Sequence, residues 1–239
     1  MTAKTKVLSL ALLGLAGFGF AGSALAGCPA SPVPPWTAVF QLGGTAAITA
    51  GGYAGTPCRL DVAITGDISS QAVVEDDSPS AEPRYRVQFI IDADNLVNLG
   101  LVDSVGVFNA QQAGALTSPI VLGVVGDGSG GSGITYIVQN PADPSGVSSG
   151  FVQLAAGTNY VEFDYDTGAV SGTPHFSMWV NNNVEGSPDV NVTAFSNTQT
   201  VDTAFLGLSN AAPGFVTNQN GHTVGLDQFD SRRQTFIGY

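Results

Sequence analysis

Residues 160–180 constrain the fold of this chain more than any other stretch. Tyr160-Val161-Glu162-Phe163-Asp164-Tyr165-Asp166 alternates polar and apolar side chains, and Phe176-Ser177-Met178-Trp179-Val180 alternates again after Thr167-Gly168 and a short loop. Period two is the signature of a strand whose two faces see different surroundings. Two such runs around a Gly-containing connection predict an antiparallel β-hairpin. A turn centred near residues 170–171 sets Val161 opposite Val180, Phe163 opposite Met178 and Tyr165 opposite Phe176. That apolar face predicts a second sheet packed against it, with each cross-strand pair contributing roughly 0.2–1 kcal/mol. The same register sets Glu162 opposite Trp179, Asp164 opposite Ser177 and Asp166 opposite His175, on a face expected to be wet. A slip of one residue exchanges the faces, so the pattern fixes parity rather than pairing.

The remainder of the chain reads the same way. Frequent Gly, Pro, Asn, Asp and Ser clusters cut it into short apolar runs, which favours an all-β sandwich or barrel in one domain, residues 27–239. Strands are expected at 36–42, 46–49, 60–64, 84–91, 105–109, 119–125, 134–139 and 151–155, then in the hairpin, at 201–208, 222–229 and 235–237. A Pro-rich arm (29–35) precedes them, and an acidic Pro-bearing loop covers 75–83. In the run from Arg84 to Ile91, Tyr85, Val87, Phe89 and Ile91 face one way, with Arg84, Arg86 and Gln88 on the other.

Residues 1–26 predict an export signal. Lys4 and Lys6 supply the charged start, Val7 to Phe20 the apolar core, and Ala24-Leu25-Ala26 an A-x-A cleavage site. The core is too short for a transmembrane span. Cleavage removes both lysines of the chain and leaves five arginines against nineteen acids, a net charge of −14. So acidic a surface disfavours nucleic acid and anionic membranes as partners. The expected location is the periplasm or the exterior. Cys28 and Cys58 are the only cysteines. In an oxidising compartment they are expected to pair. Leu25-Ala26-Gly27-Cys28 also fits a lipobox, and a lipid anchor on Cys28 is the alternative.

The C-terminal half resembles the concanavalin A-like, laminin-G-like jelly roll. Val161 to Asp166 is similar to its strand before the hairpin. Phe176 to Asn182 is similar to its alternating strand followed by V-N/D-G, with Asn182 in place of the usual Gly. Phe205-Leu206-Gly207-Leu208 and Val224-Gly225-Leu226-Asp227-Gln228-Phe229 resemble its closing strands. Asp77 to Arg86 and Phe229 to Gly238 are similar to segments of uncharacterised exported bacterial proteins of this type. The resemblance implies a concanavalin A-like jelly-roll β-sandwich of two curved antiparallel sheets. It implies no activity, because the fold hosts lectins, adhesion modules and hydrolases alike.

Three readings follow from the hairpin's polar face. Glu162-x-Asp164-x-Asp166 is similar to the E-x-D-x-E signature of family 16 glycoside hydrolases. That likeness implies Glu162 as nucleophile, Asp164 as its tuning partner and Asp166 in the place of the acid/base, one methylene short. Retaining chemistry needs its two carboxylates about 5–5.5 Å apart. The second reading is non-catalytic glycan binding, with Trp179 as an apolar plate beside Glu162, Asp164 and His175. The third is a structural exported protein without a small ligand.

No cofactor is expected, with a calcium ion held by the chain's many carboxylates as the alternative. His175 and His222 have no metal-ligand partner at close spacing. Asp92-Ala93-Asp94-Asn95 supplies only part of a calcium ligand set and reads as a turn. The Gly-rich stretch 126–133 reads as a hairpin tip. No nucleophile elbow or Cys-His constellation is present. Arg84, Arg86, Arg232 and Arg233 are expected to pair with carboxylates.

Overall fold

The computed structural model describes residues 27–239 apart from 33–34, 97, 116, 141–142 and 194–196; the expected export signal at 1–26 and part of the Pro-rich arm lie outside the described residues. Fourteen strands and one short helix are described. They are β1 (Ala38–Leu42), β2 (Gly44–Ala50), β3 (Cys58–Ile64), β4 (Gln71–Asp76), β5 (Arg84–Asp92), β6 (Ser104–Gln111), β7 (Ile120–Gly126) and β8 (Ser132–Asn140). β9 (Asp143–Gln153), β10 (Thr158–Asp166), β11 (His175–Val180), β12 (Val190–Val192), β13 (Thr203–Ser209), α1 (Pro213–Gln219) and β14 (Thr223–Arg232) follow.

The strands form two seven-stranded sheets. Sheet A has the order β1-β4-β13-β6-β7-β8-β9, and sheet B the order β12-β11-β10-β5-β14-β3-β2. Every pairing between these strands is antiparallel. This is the jelly-roll β-sandwich that the period-two patterning and the resemblance implied. The chain changes sheet between β1 and β2 at Gly43, whose φ of 56° suits a residue without a side chain.

The core lies between the sheets. Phe89, Phe163 and Phe176 of sheet B meet Phe108 and Tyr136 of sheet A in a chain of ring contacts 5.1–6.3 Å between centroids. Ring pairs of this kind add about 0.5–1.5 kcal/mol each beyond their buried area. The hairpin carries much of this core, and β10 pairs with β11 in the expected register, Val161 with Val180, Phe163 with Met178 and Tyr165 with Phe176.

Several expectations shift. The loop expected at 75–83 begins later, because β4 runs to Asp76 and pairs with both β1 and β13. Residues 235–237 are not a strand but part of an irregular strap. α1 and β12 carried no readable pattern. α1 is two turns long, opens on Pro213 and buries Phe215. Cys28 and Cys58 form a disulfide, with Cα atoms 5.7 Å apart. A sulfur in that bond cannot carry a thioether lipid, so the lipid-anchor alternative through Cys28 does not stand. Among the described residues no helix is long and apolar enough to cross a membrane.

Candidate functional site

β10 lies between β5 and β11, and this placement decides the fate of its carboxylates. The register sets Asp164 against Arg86 and Asp166 against Arg84 on one side, and Glu162 against Trp179 and Asp166 against His175 on the other. An acidic strand therefore runs beside a basic one. Arg84 grips Asp164 with two hydrogen bonds, Nε to Oδ1 at 3.0 Å and Nη2 to Oδ2 at 2.6 Å. Arg86 lies within ion-pair distance of Glu162 (3.2 Å), Asp164 (3.6 Å) and Glu185 (3.0 Å). Asp166 accepts backbone N–H bonds from Gly168 (2.6 Å) and Ser171 (3.0 Å), and so shapes the hairpin turn.

The face expected to be wet is covered. Glu162 is 4% exposed, Asp164 2%, Asp166 0% and Trp179 4%. The cover is a strap of residues 233–239 together with the loop after β11. The backbone N–H groups of Ile237 and Gly238 donate to the two oxygens of Glu162 at 3.0 and 2.9 Å. Phe236 meets Trp179 edge-on at 5.5 Å, and the Arg86 guanidinium lies 5.0 and 5.2 Å from those two rings. Trp179 Nε1 donates to the Val184 carbonyl, and Tyr239 stacks on Tyr160 at 4.2 Å. The alternation marked a polar face correctly, but tertiary cover rather than water satisfies it.

The protonation pattern fits a structural network. Burial would raise the Asp164 carboxyl. The hydrogen bonds from His175 and Arg84 and the charge of Arg86 outweigh that and hold it at about 2. His175 Nε2 lies 3.2 Å from Asp164 Oδ2, and this bond raises the imidazole above its ordinary value against partial burial. A glycosidase acid needs a carboxyl that stays protonated near neutrality. Asp164 is shifted the other way, Asp166 is spent on the turn, and Glu162 is shared between Arg86 and the strap. Arg232 pairs with Asp230 and Arg233 with Glu82, as expected for those cations.

Two open features were not singled out by sequence. A cavity of about 510 Å³ forms where β14 parts from β3 beyond Leu226, roofed by the N-terminal arm. Trp36 packs on Phe229 there, with ring centroids 4.8 Å apart, and the non-glycine Gln228 sits at φ 48° in the β14 bulge. The other is a cleft of about 310 Å³ on the outer face of sheet A, bordered by Phe40 and Phe205. Sequence could have suggested the cleft only through Phe205, an aromatic on the outward parity of β13. Among the described residues no group of three His, Cys, Asp or Glu is placed to hold a metal ion.

Fold and site together define a disulfide-bearing jelly-roll sandwich whose polar hairpin face is sealed by its own chain. No protein-family profile and no curated protein matches it. Among solved structures it is similar to the cellulose induced protein Cip1, at 12% identity over 90% of this chain and 94% of that one, with a TM-score of 0.54. It is also similar to the receptor-binding domain of a botulinum neurotoxin mosaic serotype C/D, at 10% identity over 81% of this chain, with a TM-score of 0.50. The chain spans about 43% of the length of that toxin domain. At these identities the likeness is one of fold.

Proposed function

We propose that this protein is an exported, non-catalytic β-sandwich that binds carbohydrate. The observation that carries the non-catalytic part is the fate of Glu162, Asp164 and Asp166. All three are buried, and each is held by cations or backbone amides. A retaining hydrolase needs one such carboxylate free to attack and another free to give up a proton. The Cys28–Cys58 disulfide and the A-x-A pattern at 24–26 support export. The recognition role is taken by analogy of fold alone from the cellulose induced protein and the toxin receptor-binding domain.

The test pairs two assays on the full mature chain. Retention on immobilised polysaccharides is expected, with no release of reducing sugar from any of them. Hydrolysis of a β-glucan that disappears in Glu162→Gln would replace this reading with the family 16 alternative. Failure to bind any polysaccharide would leave the structural reading in its place.

A further inference from the structure

The cleft on the outer face of sheet A is built from four adjacent strands. Phe40 of β1 pairs with Val73 of β4, Val73 with Gly207 of β13, and Phe205 of β13 with Asn109 of β6. These residues share the outward parity, while Ala72, Val74, Leu206, Phe108 and Ala110 between them point into the core. The cleft spans three strand spacings, roughly 14 Å. Gly207 of β13, at φ 142°, has no Cβ and so lets the Ala72–Val73 backbone of β4 come close behind the cleft. The β13–β6 pairing is irregular between Leu206 and Ser209, and Asn210 beside it takes φ 51°. Bulges and non-glycine residues at positive φ are concentrated where strands re-aim side chains toward ligands.

The chemistry of the lining is specific. Phe40 and Phe205 hold their rings 6.2 Å apart and tilted by 57°, with Phe40 41% exposed. Gln71, Asn109, Gln111 and Asn210 present amides around them. Among the described residues none of these four amide side chains has a hydrogen-bond partner within the chain. For the Asn109 Oδ1 this is costly, because the atom is shielded from solvent. None of the residues bordering the cleft is ionisable. Aromatic rings beside paired amide donors and acceptors suit a ligand with apolar ring faces and hydroxyl edges. Absence of charge in the lining leaves nothing to offset the surface field of a −14 protein, so a polyanion is disfavoured.

We infer that this cleft binds a neutral polysaccharide chain, with Phe40 and Phe205 as stacking platforms and Gln111 and Asn210 as hydroxyl partners. The inference rests on the carbohydrate-binding reading above and adds its site and its ligand class.

Binding of the mature protein to soluble neutral β-glucan, neutral mannan and alginate would be measured by affinity electrophoresis and calorimetry. The comparison includes Phe40→Ala, Phe205→Ala and Gln111→Ala, with Trp36→Phe in the other cavity as control. Thermal unfolding checks that each variant is folded. The expected result is binding to a neutral glycan but not to alginate, and at least a tenfold rise in Kd for Phe205→Ala. Phe40→Ala and Gln111→Ala are expected to give smaller rises, and Trp36→Phe none. Unchanged affinity in all three cleft variants overturns the site while carbohydrate binding stands. Tighter binding to alginate overturns the ligand class. No binding to any polysaccharide overturns the function reading and this inference with it.

Discussion

Arg86→Met is the sharpest test of how the hairpin's polar face is held. The guanidinium is 1% exposed, within ion-pair distance of Glu162, Asp164 and Glu185, and stacked near Trp179 and Phe236. Methionine fills much of the same stem volume but leaves the Glu162 and Asp164 carboxylates buried with less positive charge. Breaking a buried ion pair from one side costs about 3–5 kcal/mol. Asp164 keeps Arg84 and His175, and Glu162 keeps two backbone N–H donors, so the loss should fall toward the lower figure. In a chain of this size that corresponds to a Tm lower by roughly 6–12 °C. Urea unfolding near neutral pH measures it directly. The loss should also depend on pH. Arg86 is one of the charges that hold Asp164 at about 2, so without it that carboxyl rises. Protonation then relieves the unpaired charge, and wild type and variant should converge as the pH falls below ~4. A loss under about 1 kcal/mol near neutrality, or one that stays constant through the acid range, would refute the account. It would mean that Arg86 acts through its packed stem alone.

The wild-type protein should itself lose stability in acid. Asp164 titrates at about 2 when folded and at ~3.9 when unfolded, so its contribution of about 2–3 kcal/mol is present above pH ~4 and lost as the pH falls toward 2. His175 acts oppositely. Its raised folded pKa adds stability below ~6.5 that fades as the pH rises through the folded value, and His175→Phe should flatten that slope in unfolding curves. Removing residues 233–239 strips two backbone donors from Glu162 and uncovers Trp179. In a Trp36→Phe background the emission of Trp179, the other tryptophan, should shift to the red, and unchanged emission would show that the strap is not its cover. Replacing both Cys28 and Cys58 with Ser should cost roughly 3–4 kcal/mol for a loop of this length. A midpoint equal to that of the oxidised wild type would count against it.

The fold was legible because its signal is local. Alternation in Val161–Asp166 and Phe176–Val180 is set by which side chains each strand can bury, and it carried the hairpin to the correct register. Longer strands such as β5 and β3 were readable for the same reason. β4 was missed because Ala72, Val73 and Val74 are all buried and do not alternate. α1 was missed because seven residues with one buried aromatic give no helical period.

The candidate site divides along the same line. Alternation along the chain placed Glu162, Asp164, Asp166, Trp179 and His175 on one face of the hairpin, and Arg84 and Arg86 on one face of the strand at 84–91. The tertiary structure sets these two strands side by side, so that the charges neutralise one another. Only it brought Phe236, Ile237 and Gly238 back across some seventy-five residues to seal them. The sheet A cleft is nonlocal in the same sense. Phe40, Asn109 and Phe205 are far apart in sequence and meet because β1, β6 and β13 gather around β4 and one another. Period two tells which side of a strand a residue occupies, because that follows from the backbone pleat. It does not tell what lies against that side, because this depends on strand order and on chain ends that carry no period of their own.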